Sequence, residues 1–300
     1  MTTTPLAAGV WGVVATPFSG STFDVDEGSL VRLVEHYERI GVAGLTVLGV
    51  FGEAAQLSTE ERLSVLEAVV DTVDLPLVVG VTSLGKAPVI EEVRAAQKAV
   101  GDQLAGVMVQ VSSPHSEALA KHLRAVHEAT GAGIVVQDYP LVSGVTITSE
   151  ALVAALRDLP FVVGVKAEAQ PTPPAVAALT VALDVPVFGG LGGLGLLDEL
   201  AAGSAGAMTG FSFPEGLIAC VDAWRKGGYD EAREAFLPYL PLVNFEQQAK
   251  IALAIRKECL RQRGLVMESS VRPPATPMPE VLLDQLRRHV GSVPVHEVVR

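Results

Sequence analysis

A chain of 300 residues is long enough for one large α/β domain with an appendage, or for two small domains. Its formal net charge of −12 argues against nucleic acid or an anionic membrane as a partner. Hydrophobic residues make up 49% of the chain and charged residues only 19%, which favours a sizeable core and argues against long disordered tails.

The cellular compartment is also constrained by the sequence. The chain has 2 cysteines, Cys220 and Cys259, which fit a reducing compartment better than a disulfide framework. Residues 1–5 show neither the basic nor the apolar region of a signal peptide. No uninterrupted apolar run reaches the ~18 residues that a membrane-spanning helix needs. We therefore expect a cytoplasmic protein with no membrane partner.

Eight short apolar stretches predict strands along the first three quarters of the chain. Runs rich in β-branched residues and without a period are typical of strands buried on both faces. In chain order they lie at 10–15, 45–48, 77–81, 106–111, 133–136, 161–168, 186–188 and 206–209.

Helical patterns separate these stretches. They lie at 27–40, 88–100, 116–129, 149–156, 173–183 and 194–202, with two further helices opening at Ser58 and Pro214. Ser58 followed by Glu61 forms a capping box, which marks a helix N-terminus. Strands and helices that alternate in this way predict a (β/α)8 barrel over residues 1–225. A doubly wound open sheet is the rival fold, but it normally needs fewer strands.

The remaining residues, 226–300, have a helical period that is interrupted at Pro238, at Pro241 and at Arg272-Pro273-Pro274. We interpret them as a small C-terminal helical domain packed on the barrel.

In a barrel of this kind the carboxyl ends of the strands converge on one mouth, where the active site lies. The predicted strand ends bring one group of residues around that mouth: Thr16, the loop 49–53, Val111, Gln137, Lys166, the glycine run 189–193 and Thr209.

Lys166 lies near the carboxyl end of the sixth predicted strand, and most of the functional prediction depends on it. An apolar site favours the free amine over the ammonium ion. A free amine can attack a ketone and form a Schiff base. The alternative is a strand-end lysine that merely reaches solvent, and on this segment alone that is the better interpretation.

Two glycine-rich loops flank the same mouth. The backbone N–H groups of Gly49 to Gly52, and of Gly189 and Gly190, can be presented to a substrate carboxylate. Taken alone, the run 189–193 is better interpreted as a turn that needs a positive φ. It is no dinucleotide-binding fingerprint, because it falls in the seventh βα unit and lacks the acidic partner.

Taken together, these pieces resemble the dihydrodipicolinate synthase / N-acetylneuraminate lyase superfamily of Schiff-base aldolases. The matching segments occur in order along essentially the whole chain: Thr16-Pro17-Phe18, Gly49-x-x-Gly52-Glu53, Leu57-Ser58-x-x-Glu61-Arg62, Val165-Lys166, the seventh-strand glycine loop and Arg272-Pro273-Pro274. The resemblance implies a (β/α)8 barrel with a C-terminal helical domain, commonly assembled as a tetramer. It also implies that Lys166 forms the Schiff base with pyruvate or another 2-keto acid.

The chain departs from the family pattern at positions that matter for chemistry. Val50 and Phe51 stand where the family usually has two hydroxyl residues that bind the carboxylate and relay a proton. Gln137 occupies the place of the usual catalytic tyrosine, and no arginine follows Pro140. We therefore expect a divergent member rather than a true dihydrodipicolinate synthase.

Schiff-base chemistry needs a proton carrier, and several residues are candidates for that role. Glu168 shares strand parity with Lys166, so both can face inward; the alternative is a solvated loop carboxylate. Tyr139 is a possible acid, with ordinary packing beside Pro140 as the alternative. Asp138 flanks the end of the fifth strand. His115 lies in a loop near the mouth, where a lone histidine is most often solvated.

The main prediction is a lyase, either an aldolase or a dehydratase, with Lys166, Glu168 and Tyr139 as catalytic residues. Its predicted substrate-binding residues are Thr16, Gly49, Val50, Phe51, Gly52, Gln137, Gly189 and Gly190. We expect no cofactor, because the lysine supplies the electrophile, and no metal, because histidines and cysteines show no ligand spacing. The apolar pair Val50 and Phe51 suggests a second substrate less polar than a sugar acid.

Two other functions remain open on the sequence alone. One is a non-catalytic sensor of keto acids on the same barrel, which the missing hydroxyl pair motivates. The other is a phosphate- or nucleotide-binding barrel enzyme, which rests only on the glycine run. For each of these functions the expected binding partner is a small molecule. The protein itself is expected to form a homodimer or a homotetramer.

Overall fold

Eight parallel strands form a closed barrel in which each strand pairs with its neighbours in sequence and β8 pairs with β1. The structure is a computed structural model, and it describes residues 4–294. The strands are β1 Gly9–Val13, β2 Gly44–Val47, β3 Leu77–Gly80, β4 Leu104–Gln110, β5 Ile134–Asp138, β6 Val162–Ala167, β7 Val187–Gly189 and β8 Gly206–Thr209. The predicted (β/α)8 barrel is confirmed, and closure excludes the open doubly wound sheet.

Helices connect the strands on the outside of the barrel. They are α1 Glu27–Arg39, α2 Thr59–Thr72, α3 Lys86–Val100, α4 Ser116–Thr130, α5 Pro140–Ser143, α6 Ser149–Leu156, α7 Thr172–Ala182, α8 Leu196–Ala201 and α9 Pro214–Gly227. The short α5 was not predicted, and it follows β5 directly. At α2 the Ser58 hydroxyl accepts from the Glu61 N–H while the Glu61 carboxylate accepts from the Ser58 N–H, so the predicted capping box is present.

Four more helices follow the barrel: α10 Tyr229–Phe236, α11 Leu240–Phe245, α12 Ala252–Gln262 and α13 Leu283–Ser292. They agree with the predicted helical C-terminal region as far as residue 294, and the last six residues of that region, 295–300, lie outside the described residues. Within the described range, no helix is long and apolar enough to cross a membrane.

The middle of the barrel interior is packed with side chains. Trp11, Val78, Met108 and Phe188 belong to this interior cluster, and the Trp11 and Phe188 rings meet edge to face. A packed interior of this kind places the chemistry at the carboxyl ends of the strands, as the sequence predicts.

An extra residue in β6 determines which way Lys166 points. Ile134 pairs with Val162 and Val135 pairs with Gly164, so Val163 has no counterpart on β5 and forms a β-bulge. Val163 packs in the barrel interior. Lys166 also faces inward, since it lines the cavity at the mouth, although the offset between Val163 and Lys166 along the chain is an odd number of residues. Without the bulge, strict alternation would put these two side chains on opposite faces.

The C-terminal region is attached to the barrel mouth by ion pairs, of which the one between Lys257 and Glu53 is buried. Lys257 on α12 pairs with Glu53 of the β2 loop, and the exposed fractions of these two residues are only 1% and 6%. The backbone N–H of Arg272 donates to the second Glu53 oxygen at 2.8 Å. The Arg272 guanidinium pairs with Glu61 and donates to backbone carbonyls at Phe23 and Gln56. This part of the chain therefore fixes the β2 loop from outside.

Candidate active site

Lys166 lies at the carboxyl end of β6, between Gln137 on β5 and Phe188 on β7 in the strand register. Only 7% of the residue is exposed. Its Nζ is 3.3 Å from Oε2 of Glu168. The sequence prediction that these two residues face the same side is confirmed.

Glu168 is held in place by three neighbours. Its Oε2 accepts a hydrogen bond from Gln137 Nε2 at 2.7 Å, in addition to facing Lys166. Its Oε1 accepts from the backbone N–H of Leu191 at 3.4 Å. A buried carboxylate that contacts an amine and two hydrogen-bond donors is positioned to exchange protons with that amine.

A cavity of about 510 Å³ opens above this pair. Its wall contains predicted site residues from three loops and two strands: Gly49, Val50, Phe51, Gln137, Tyr139, Lys166 and Glu168. A second cavity of about 640 Å³ adjoins it, and the two walls share Gly49, Val50, Met108, Gln137, Lys250 and Leu253. Leu84 and Val142 make that second lobe apolar on its outer side.

The β2 loop contributes Gly49, Val50 and Phe51 to the cavity wall. Gly52 and Thr16 support the loop from behind, since Thr16 Oγ1 donates to the Gly52 carbonyl at 2.7 Å. Neither of these two residues lines the cavity. Within residues 4–294, the backbone N–H groups of Val50 and Phe51 donate to no acceptor. These two N–H groups are available to an anion.

The glycine run after β7 makes room for two carboxylates. A Cβ on Gly190 would collide with Glu168, and a Cβ on Gly189 would collide with Glu199. The part of the run that lines the cavity is Leu191 and Gly192. The role of Gly189 and Gly190 in substrate binding stays a prediction. What the structure shows is that the absence of a side chain at these two positions leaves space for Glu199 and Glu168.

Glu199 on α8 is a second buried carboxylate, and only 1% of it is exposed. Its Oε1 accepts from Thr172 Oγ1 at 2.6 Å, while its Oε2 is buried and has no hydrogen-bond partner among the described residues. Burial raises the pKa of Glu199 to about 7, partly opposed by the Thr172 hydrogen bond. Glu199 is therefore largely protonated below neutral pH.

Tyr139 and Asp138 follow Gln137 and have different surroundings. Tyr139 lines the cavity, and burial, together with the charge of Glu168, raises the pKa of its phenol. Asp138 lines neither cavity; burial and the charge of Glu168 raise its pKa to about 6. His115 is exposed at the start of α4 and also lies outside both cavity walls. Of these three, only Tyr139 reaches the site.

Four residues at the site were missed by sequence reasoning. Thr46 is fully buried beside the cavity, and its hydroxyl has no partner among the described residues. Lys250 and Arg256 reach the cavity from the C-terminal region. Glu199 stands on α8 between Leu196 and Leu200, a spacing that could have indicated a carboxylate on the buried face. No comparable signal marks Lys250 or Arg256, because their position depends on how distant helices dock.

Residues 4–294 contain no group of three or more His, Cys, Asp or Glu side chains that could hold a metal ion.

Comparisons with known proteins agree with this architecture. The model of the dihydrodipicolinate synthetase family matches residues 6–292. The chain is 30% identical over 300 residues to the L-2-keto-3-deoxyarabonate dehydratase of Azospirillum brasilense, which covers 93% of this chain and 91% of the relative. It is 31% identical over 240 residues to the 4-hydroxy-tetrahydrodipicolinate synthase of Methanothrix thermoacetophila, which covers 78% of this chain and 80% of the relative.

A solved structure gives the same result. The crystal structure of dihydrodipicolinate synthase from Rhodopseudomonas palustris superimposes with a TM-score of 0.88 at 30% sequence identity. The superposition covers 97% of this chain and 99% of that one, so it includes the C-terminal helices.

Proposed function

Because the chain belongs to the dihydrodipicolinate synthetase family, we propose that it is an enzyme, a lyase that acts on a 2-keto acid through a Schiff base on Lys166. The observation that carries this proposal is the buried contact of 3.3 Å between Lys166 Nζ and Glu168 at the floor of a cavity. The similar proteins include a dehydratase and synthases, which supports both elimination and carbon–carbon chemistry as reaction types.

The first half of the reaction builds the imine. Glu168 takes a proton from the Lys166 ammonium, and the free amine attacks the ketone carbon of the keto acid. The oxygen of the adduct takes one proton from the attacking nitrogen, which gives the carbinolamine, then a second from Glu168, and leaves as water. The product is a protonated imine that withdraws electrons from the neighbouring carbon, and Glu168 is again a carboxylate.

The second half uses the imine as an electron sink. Glu168 removes a proton from the carbon next to the imine and leaves an enamine. In a dehydratase the enamine expels a hydroxyl group from the following carbon, and an acid protonates that group so that it departs as water. In an aldolase working towards condensation, the enamine carbon attacks the carbonyl carbon of the second substrate, and an acid protonates the oxygen that results. In the direction of cleavage the imine reacts directly: a base takes the proton of the hydroxyl on the following carbon, that group becomes a carbonyl, and the electrons of the broken carbon–carbon bond form the enamine. Water then hydrolyses the imine and releases Lys166.

Tyr139 is the acid that we propose for the leaving group. Its phenol carries a proton at neutral pH, and the burial that raises its pKa keeps that proton in place until a leaving group accepts it. Its position on the cavity wall supports this role. Gln137 has no acidic proton to transfer; it orients Glu168 through the hydrogen bond of 2.7 Å.

The β2 loop would receive the carboxylate of the keto acid. The N–H groups of Val50 and Phe51 are unpaired among the described residues and can donate to it. No cofactor enters this proposal, because the imine formed by Lys166 supplies the electrophile.

Two other functions are less well supported. A keto-acid sensor would need no carboxylate against its lysine, yet Glu168 occupies that position. A phosphate- or nucleotide-binding enzyme would need the glycine run as an anion site, but the side chains of Glu168 and Glu199 fill the space beside Gly190 and Gly189, and the charge of Glu168 would repel a phosphate.

Borohydride trapping tests the proposal directly. With pyruvate and sodium borohydride, we expect peptide mass spectrometry to find the reduced adduct on Lys166 and no adduct in Lys166→Ala. The matched control is Lys226→Ala, which removes an exposed lysine at the end of α9 and should leave trapping unchanged. Absence of an adduct with pyruvate and with longer 2-keto acids would overturn the Schiff-base proposal.

Three wider features belong to the same proposal. We propose that residues 1–225 form the catalytic domain and 226–300 the helical domain, that the protein acts in the cytoplasm, and that it assembles as a homodimer or homotetramer. Sedimentation of the full chain measures the assembly state.

A further inference from the structure

Arg256 lies over the mouth of the barrel although it belongs to α12, far along the chain. Its guanidinium carbon is 5.7 Å from the centre of the Phe51 ring. Its Nη2 atom also fills the space that a Cβ on Gly192 would need, and Gly192 has φ +68°. The guanidinium therefore sits between the β2 loop and the β7 loop, on the wall of the cavity that contains Lys166.

One nitrogen of the Arg256 guanidinium is held by a hydrogen bond, whereas the two terminal nitrogens can still donate to a ligand. Arg256 Nε donates to Glu246 Oε2 at 3.2 Å, and Glu246 is completely buried and bonded to the Ser212 hydroxyl. The terminal nitrogens Nη1 and Nη2 have no hydrogen-bond partner within residues 4–294. A guanidinium carries five N–H donors, so those on the terminal nitrogens remain to form two parallel bonds to a carboxylate.

We infer that Arg256 binds the carboxylate of the 2-keto acid, in place of the hydroxyl side chains that positions 50 and 51 lack. This inference rests on the proposed function, because it concerns the same substrate. The β2 loop would contribute the N–H groups of Val50 and Phe51 from one side, and Arg256 its terminal nitrogens from the other. The Phe51 ring would then stabilise the guanidinium of Arg256 by a cation–π contact.

Charge balance at the site favours this assignment. Glu168 lies against Lys166 and would repel a second carboxylate, so the substrate needs a cation away from that pair. Lys250 also lines the cavity, but it is exposed, and among residues 4–294 no side chain forms a hydrogen bond or an ion pair with it. Arg256 is mostly buried and already oriented, so it loses less side-chain freedom when the anion binds.

The test compares pyruvate with pyruvamide, its neutral analogue, by borohydride trapping on Lys166. In Arg256→Gln we expect the pyruvate concentration for half-maximal trapping to rise roughly tenfold to a hundredfold, as for a lost hydrogen bond to a charged group. Pyruvamide trapping should stay as in the wild type. Arg256→Lys keeps a cation beside Glu246, so the concentration of pyruvate for half-maximal trapping should rise less than in Arg256→Gln. This comparison separates the loss of a carboxylate-binding group from misfolding. Arg225→Gln, an exposed arginine on α9, controls for net charge and should change neither substrate.

Two results would overturn the inference. Equal loss of trapping with pyruvate and pyruvamide would mean that Arg256 only supports the fold. Unchanged trapping with pyruvate, combined with weaker trapping of 2-oxoglutarate, would mean that Arg256 binds a second anionic group instead.

A binding measurement keeps this question apart from the Schiff-base proposal. Calorimetric titration of Lys166→Ala with pyruvate requires no covalent bond. We expect weaker binding when Arg256→Gln is added to that variant, even in the case that the wild type forms no adduct. Pyruvate that binds both proteins equally, or neither of them, would contradict the role of Arg256.

Discussion

Glu168 is the single residue on which the proposed proton transfers depend, and its charge can be removed with little change in shape. In Glu168→Gln the amide retains contacts with Lys166 and Gln137 but cannot accept a proton. We expect turnover of the substrate to fall by about 10²- to 10⁴-fold, as for the loss of a general base. Steady-state kinetics measures this, with Glu117→Gln on the exposed face of α4 as the control. Turnover close to that of the wild type would assign the proton transfers to another group.

Glu199 leads to a prediction about stability and pH. Its pKa is raised by burial from 4.5 to about 7, so the folded state prefers the protonated acid. The stability associated with this preference is fully present below about pH 4.5 and is lost as the pH rises through about 7. Glu199→Gln stays neutral and avoids that loss. The difference in free energy of unfolding between the variant and the wild type should therefore shift in favour of the variant by up to about 3 kcal/mol between pH 5 and pH 8.

Urea unfolding at pH 5, 6.5 and 8 measures this difference. Glu234→Gln, on the surface of α10, should run parallel to the wild type across the same range. A constant difference between Glu199→Gln and the wild type at all three pH values would mean that Glu199 does not titrate in this range.

The sequence predicted the residues whose placement depends on their own strand. Lys166 and Glu168 could be assigned to one face, because residues two apart on a strand point the same way. Arg256 could not be predicted, because its place at the mouth depends on how α12 docks against the loops after β2 and β7, both of them distant in the chain. Val163 could not be identified as a bulge either, because nothing in a run of valines distinguishes an extra residue from a paired one.

At the level of elements, the end of β7 controls the position of Glu168. A methyl group on Gly190 would occupy the space of the Glu168 side chain. In Gly190→Ala we therefore expect Glu168 to be displaced from Lys166, with at least a tenfold loss of turnover. Kinetics and thermal unfolding should be measured together, because the effect on activity should exceed the effect on stability.

Gly28→Ala is the matched control for that substitution. Gly28 lies on α1 and its added methyl group would make only ordinary contacts. Replacing a helical glycine by alanine should stabilise the protein slightly and leave turnover unchanged. Full activity of Gly190→Ala would show that the β7 loop can move without affecting Glu168.

The strand and helix order was the part of the fold that the sequence predicted best. Eight apolar runs separated by amphipathic helices left few other topologies, and all eight strands are present. Boundaries were less accurate: β5 extends to Asp138, which places Gln137 within the strand, and α5 begins directly at Pro140. A proline is well suited to the first position of a helix, so Pro140 is compatible with the α5 that the sequence analysis did not predict.

At the level of the whole molecule, the buried pair of Glu53 and Lys257 joins the C-terminal helices to the β2 loop. Removal of one partner leaves the other charge buried and unpaired. We expect Glu53→Ala to lower the free energy of unfolding by about 3–5 kcal/mol. It should also loosen the loop 49–53, because the bond from the Arg272 N–H is lost as well.

A double variant separates the ion pair from the loop. Glu53→Ala combined with Lys257→Met removes both charges and should recover part of the lost stability in urea unfolding. Hydrogen exchange at the loop amides should stay faster than in the wild type, because a methionine side chain on α12 cannot replace the Glu53 carboxylate as an acceptor. Additive losses in the double variant would show that the two charges do not act as a pair.

The bulge in β6 matters for the design of a similar active site in another barrel protein. A lysine substituted onto a regular strand of another barrel, at the same height and with the neighbours of Lys166 copied around it, would be out of phase with the residues below it. The graft would have to carry the extra residue Val163 along with the lysine. The transferable unit is therefore an irregular strand, longer by one residue than the strand it replaces, rather than a set of side chains.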